Sequence, residues 1–129
     1  MSLKITTEER KPGVFVVTLA GRLDSTTSSA CEEKIEPLLK KGTRVLMLDL
    51  ENMDYISSMG LRAILAARKA LQDHGGHVLL LHLQPQVAKV FELADILPKT
   101  SIFDSVKSAD IFLEAIQNKE LVKGLDIPD

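Results

Sequence analysis

Residues 44–61 read Arg44-Val-Leu-Met-Leu-Asp-Leu50, then Glu51-Asn-Met-Asp54, then Tyr55-Ile-Ser-Ser-Met-Gly-Leu61. The first stretch is apolar almost without a break. A strand with one face in water alternates in polarity, so this run reads as a central parallel strand covered on both faces. Glu51-Asn52-Met53-Asp54 reads as a turn leading to Tyr55-Ile56, and the adjacent Ser57 and Ser58 are residue types that cap helix N-termini.

Downstream, residues 59–74 carry a helical pattern, with Leu61, Ile64, Leu65 and Leu71 inward and Arg62, Lys69 and Gln72 outward. Gly75-Gly76 ends it. A second buried strand is expected over 77–83, a short helix over 86–94 packing Val87, Val90 and Phe91, and a strand stub at Ile102-Phe103. Ser105 is expected to cap a last helix with the stripe Ala109, Phe112, Leu113, Ile116. Residues 119–129, with Gly124 and Pro128, read as a C-terminal tail after a single domain over 1–118.

Upstream, Leu3 and Ile5 alternate with Lys4 and Thr6, and a polar run ends in Pro12-Gly13 before the β-branched and aromatic stretch 14–19. That is a hairpin whose second strand lies inside the sheet. Gly21-Arg22-Leu23-Asp24 is read as leaving the strand, and Asp24-Ser25-Thr26-Thr27 as helix-capping. The next helix places Cys31, Ile35 and Leu38 on one stripe. Pro37 removes a hydrogen bond to the Glu33 carbonyl and is expected to kink or split that helix; Lys40-Lys41-Gly42 closes it. The order β-β-α-β-α-β-α-(β)-α makes an α/β fold: a mainly parallel sheet opened by an antiparallel hairpin, with about four helices packed on it.

Composition narrows the function classes. The 129 residues suit one domain, and 45% hydrophobic with 26% charged residues is an ordinary globular balance. A net charge of −2 offers no basic stripe for nucleic acid. No apolar run approaches the roughly 20 residues that cross a bilayer, and the N-terminus lacks the apolar core of a secretory signal. A single cysteine, Cys31, cannot form an internal disulfide. A cytoplasmic location, without membrane insertion, is the expectation.

Several short signatures stand in the order and spacing of the STAS family: Gly21-Arg22-Leu23-Asp24, residues 45–49 followed by Met53 through Leu61, Gly75-Gly76, residues 78–83, 87–91, and Ile102-Phe103. Over about residues 3–118 the chain resembles that family, and within it the stand-alone anti-sigma factor antagonists. The resemblance implies a STAS fold and a protein that binds an anti-sigma factor serine kinase, which phosphorylates a serine at the start of the second helix and so ends the interaction. A metal-dependent serine phosphatase restores it. The resemblance also implies that the loop holding Asp24 lies beside the phospho-serine loop and helps meet the partner. On this reading the partner surface is Asp24, Ser25, Tyr55, Ser57, Ser58, Met59, Gly60 and Arg62, and the domain is a monomer without a cofactor.

One departure matters. The commonest motif in that branch is aspartate-serine-serine-glycine-leucine, with phosphate on the second serine. Aligned on Gly60-Leu61, the aspartate position is Ser57, the first serine is Ser58 and the usual acceptor is Met59, whose thioether cannot be phosphorylated. Ser58, or alternatively Ser57, is then the acceptor, or the domain is a constitutive interaction adaptor. A phosphate there would sit at the positive end of a helix, which tolerates it. The switch would therefore work across the interface rather than by unfolding the domain.

Other chemistry is weakly marked. Asp24 and Asp54 read better as cap and turn residues than as an acid–base pair. His74, His77 and His82 are irregularly spaced, with His77 and His82 on opposite faces of a strand and no carboxylate partner evident, so no metal site is expected. Cys31 belongs to the core. The serines lack the glycine-x-serine-x-glycine elbow of hydrolases, and Lys41-Gly42-Thr43 lacks the spacing of a phosphate loop. The chain is accordingly read as no enzyme. A small-molecule, lipid-binding or hydrolytic role would need a deep pocket beside Ser57-Ser58.

Overall fold

The computed structural model describes residues 2–40, 42–94, 102–103, 107–111 and 114. Strands β1 (Leu3–Lys11) and β2 (Val14–Leu23) form the opening hairpin, turning at Pro12-Gly13. Helix α1 (Ser28–Lys40), strands β3 (Val45–Asp49) and β4 (Met53–Ile56), helix α2 (Ser58–Gln72), strand β5 (His77–Leu81), helix α3 (Pro85–Ala94) and strand β6 (Ile102–Phe103) follow. Residues 107–111 are helical. The sheet order is β1-β2-β3-β5-β6, with β4 pairing β2; every pair except β1–β2 is parallel.

The apolar runs are uninterrupted because the sheet is covered on both sides, and alternation within them sends successive residues to opposite faces. Leu46 and Leu48 of β3 and Val78 and Leu80 of β5 point to one face, where they meet Cys31 and Ile35 of α1, Ile64 and Ala67 of α2, and Val87 and Phe91 of α3. Val45 and Met47, with Leu79 and Leu81, point to the other face and pack with Val14, Ala109 and Phe103. No helix among the described residues is long and apolar enough to cross a membrane.

The structure departs from the sequence reading in four places. First, β2 runs on to Leu23 and β4 begins within the stretch read as a turn, at Met53, because Met53 and Ile56 are buried and the backbone of β4 pairs with residues 21–23 of β2. Second, Pro37 does not split α1. Ile35 and Leu38 on either side of it are buried, so the packing of one stripe outweighs the single lost hydrogen bond, while Pro37 itself faces outward. Third, the buried face of α2 is Gly60, Ala63, Ile64, Ala67 and Leu71; Leu61 and Leu65 are only half-buried. Small residues win the central seam because α1 packs there, with Ala63 and Ala67 lining a cleft beside Cys31 and Ile35. Fourth, β5 ends at Leu81, so the strand parity assumed for His82 does not apply; His82 has φ +57. Of the last predicted helix, Ser105, Phe112, Leu113 and Ile116 lie outside the described residues, as does the 119–129 tail, while Ala109 is buried as expected.

Leu48 is central on the three-helix face and fully buried. Leu48→Ala is expected to destabilise the fold by about 2–5 kcal/mol through lost burial and a residual cavity, measured by urea denaturation. An effect below ~1 kcal/mol would place Leu48 outside the tight core.

Candidate functional site

The parallel pairing of β2 with β4 brings two chain segments together at the carboxyl ends of these strands. Arg22 pairs with Tyr55 and Leu23 with Ile56. The Ser57 amide then donates to the Leu23 carbonyl at 2.9 Å, holding the start of α2 against the end of β2.

The loop after β2 is organised by Asp24. Its Oδ1 accepts from the Thr26 hydroxyl at 2.7 Å and the Thr26 amide at 2.9 Å, and from the Thr27 amide at 3.2 Å. The Asp24 amide donates to Thr27 Oγ1 at 2.9 Å, and that hydroxyl donates to the Arg22 carbonyl at 2.8 Å. Asp24 is thus the turn residue that delivers the chain into α1, its carbonyl taking the Thr27 and Ser28 amides. The Thr26 hydroxyl above all holds the Asp24 carboxyl below the ordinary carboxylate range; partial burial opposes this, and the Thr26 and Thr27 amides add to it. Ser25 is exposed in the same loop.

The two serines divide their roles. Ser57 is extended, at φ −94 and ψ 174, and its Oγ accepts from the Gly60 amide at 3.2 Å, while its carbonyl takes the Leu61 amide. Ser57 is therefore the N-cap. Ser58 is exposed at the first helical position. Gly60 is buried, and its part is steric: a Cβ there would stand 2.6 Å from the Leu23 carbonyl oxygen and 2.7 Å from Leu23 Cγ. Only a residue without a side chain lets α2 begin this close to the sheet.

Around Ser58 the surface is partly apolar. Tyr55 and Met59 are 41% and 43% exposed, and Arg62, one turn along α2, is also exposed. Arg22, quoted in the sequence only as part of a motif, joins this surface: its guanidinium lies 4.1 Å from the centroid of the Tyr55 ring, a cation–π contact. Its Nε is buried without a hydrogen-bond acceptor and stands 3.7 Å from Asp24 Oδ2. The pairing of Arg22 with Tyr55 was invisible while residues 51–54 read as a turn. Asp54 is exposed within β4, and its carbonyl accepts from Gln86 Nε2.

Elsewhere, Cys31 is buried as expected, and burial with Glu32 nearby pushes its thiol up to about 11. His82, read as lacking carboxylate partners, has one: its Nδ1 is 3.0 Å from Asp49 Oδ1. Two clefts, one between α1 and α2 and one between β1 and α1, are lined by neither Ser57 nor Ser58.

Comparison with known proteins gives a consistent neighbourhood. The STAS domain family model matches residues 6–109. BtrV of Bordetella bronchiseptica, whose name places it with the anti-sigma factor antagonists, is 35% identical over 104 residues, spanning 81% of this chain and 87% of its own. The anti-sigma F factor antagonist of Paenibacillus polymyxa is 27% identical over 117 residues, 90% of this chain and 99% of its own. Among solved structures, the anti-sigma factor antagonist SpoIIAA in unphosphorylated form matches 87% of this chain and 98% of its own at TM-score 0.69 and 21% identity. The phosphorylated form of Bacillus SpoIIAA matches 84% and 96%, with the same TM-score and identity.

Two measurements check this geometry. Ser57→Ala should cost about 1 kcal/mol of stability through loss of the cap, whereas Ser58→Ala should stay within about 0.5 kcal/mol; equal losses in denaturant melts would contradict the division of roles. The Asp24 carboxyl titrates below its unfolded value, so its contribution to stability is complete above the unfolded range and is lost as pH falls through the folded pKa. Thr26→Ala is expected to raise the Asp24 midpoint in a carboxyl-carbon NMR titration, and an unmoved midpoint would show that the hydroxyl is not the cause.

Proposed function

This chain belongs to the STAS domain family, and on that premise we propose that it is an anti-sigma factor antagonist that acts in the cytoplasm by binding its partner rather than by catalysis. In this reading the partner is an anti-sigma factor serine kinase, the kinase phosphorylates Ser58, and a metal-dependent serine phosphatase reverses the modification. The observation that carries the choice of residue is the division between the serines: Ser57 Oγ is engaged with the Gly60 amide, while Ser58 is exposed, as are Tyr55 and Met59 close to it in the chain.

The physics of the site supports a switch at the interface. A phosphate on Ser58 would add about −1.5 to −2 charges at the N-terminal end of α2, where amide groups and the helix dipole favour an anion. The domain would stay folded. The same charge would have to be desolvated against a partner seated on Tyr55, Met59 and the Asp24-Ser25 loop, and that cost would release the partner. The relatives agree in kind, since two carry antagonist names and one of the solved neighbours is a phosphorylated form.

Met59, standing where the usual phosphate acceptor of this branch would be, favours a second reading: a constitutive interaction adaptor using the same apolar surface without a phosphate switch.

The protein is to be mixed with the anti-sigma kinases of its own genome and ATP, the phosphate mapped by mass spectrometry, and binding measured for each form. Phosphate on Ser58, absent in Ser58→Ala, is expected, with at least about tenfold weaker kinase binding by Ser58→Asp, or ~1.4 kcal/mol, and unchanged far-UV circular dichroism. Binding without phosphorylation would select the adaptor reading. Failure to bind any such kinase would remove both.

A further inference from the structure

A second group of side chains meets at the carboxyl edge of the sheet, on neighbouring strands β3 and β5. Asp49 is the last residue of β3, Glu51 follows two residues later, and His82 comes directly after β5. One donor atom from each lies within 4.8 Å of the other two, and His82 Nδ1 is 3.0 Å from Asp49 Oδ1. Open parallel sheets commonly bind ligands in this position, outside the carboxyl ends of their strands.

The backbone that carries these groups is well tied. The Leu50 amide donates to the Leu81 carbonyl at 2.9 Å, and the His82 amide to the Phe103 carbonyl at 3.2 Å. The Glu51 amide donates to Asp49 Oδ1 at 3.1 Å, and Gln84 Nε2 donates to the Glu51 carbonyl at 2.7 Å. His82 takes φ +57, uncommon for a residue with a side chain. The donors nevertheless remain open to solvent: Glu51 is exposed, and the Asp49 and His82 side chains are 22% and 27% exposed.

We propose that Asp49, Glu51 and His82 form a binding site for a divalent transition-metal ion of the zinc type. The imidazole decides the class. Two carboxylates alone would be a solvated acidic pair, and hard cations such as Ca²⁺ and Mg²⁺ prefer oxygen donors throughout. One imidazole nitrogen with two carboxylate oxygens is a donor set that zinc accepts. Bonds of about 2.0–2.2 Å place neighbouring ligands of a tetrahedral ion roughly 3.3 Å apart. The Asp49–His82 separation is already near that spacing, and the exposed Glu51 side chain is free of core packing to complete it. Three protein ligands leave a coordination position for water or for a group on a partner. The ion would tie the loop after β3 to the loop after β5. This site shares no residue with the surface around Ser58, so its fate and that of the antagonist reading are independent.

Metal-free full-length protein titrated calorimetrically with Zn²⁺ tests the proposal. One ion per chain is expected, with a rise in melting temperature on saturation. His82→Gln and Glu51→Gln should each weaken binding by at least about tenfold to a hundredfold, and His82→Gln should lose the thermal shift. Circular dichroism establishes that each variant is folded. If His82→Gln does not fold, Glu51→Gln, altered only at an exposed side chain, carries the test. Absence of saturable Zn²⁺ binding, or binding of undiminished affinity in the folded variants, overturns the site. So does loss of binding in His74→Gln with retention in His82→Gln.

Discussion

Strand β2 divides its parallel pairing between two neighbours, and most of the surface around α2 follows from that division. Residues 14–18 pair with β3, and residues 21–23 pair with β4 instead, with an irregularity within that second pairing between Gly21 and Arg22. At the first residue of the second pairing the backbone takes a conformation that most residues cannot adopt. Gly21 has φ +120, and a Cβ there would stand 2.4 Å from the Ser2 carbonyl oxygen. Bulges of this kind bend a strand and re-aim the side chains beyond them. Here they set Arg22 across from Tyr55 and leave the Leu23 carbonyl for the Ser57 amide.

From that junction the local chemistry is constrained step by step. The Ser57 amide is taken by β2 and its hydroxyl by the Gly60 amide, so the first serine is structural. Gly60 lets the first turn of α2 lie against Leu23 and Ile56, while the two residues before it, Ser58 and Met59, are exposed. On the neighbouring loop, Asp24 spends one oxygen on the Thr26 and Thr27 groups, leaving the other 3.7 Å from Arg22 Nε. The result is a small, partly apolar surface with charge at its border, set at the ends of β2 and β4 and the start of α2. Such a patch suits recognition of another protein, and it is the physical ground for reading the domain as a binding module.

The second edge cluster arises from the same architecture by another route. Parallel strands β3 and β5 lie side by side in register from Val45 with His77 to Asp49 with Leu81. Their carboxyl ends therefore fall together, and residues remote in sequence, Asp49 and His82, become neighbours. Nothing in the spacing of the histidines discloses this. The expectation that His82 lacked a carboxylate partner failed because it considered neighbours along the chain, whereas the partner comes from the adjacent strand.

The parts of the fold that were legible in the sequence are those governed by local pattern. The hairpin at Pro12-Gly13, the doubly buried runs of β3 and β5, the stripe Cys31, Ile35, Leu38, and the short helix packing Val87 and Phe91 all follow from alternation, periodicity and capping types. The candidate surface was legible in outline, through the serines at a helix start and the cap cluster at Asp24. Only tertiary structure decided the rest. It made a strand of residues 53–56, kept α1 whole through Pro37, gave the seam of α2 to glycine and alanine, paired Arg22 with Tyr55, and, by holding the Ser57 amide on the Leu23 carbonyl, placed Ser57 rather than Ser58 as the cap. The reason is the same in each case. Burial and hydrogen bonding between segments distant in the chain supply energies larger than local preference, and a single sequence records the preference without naming the partner.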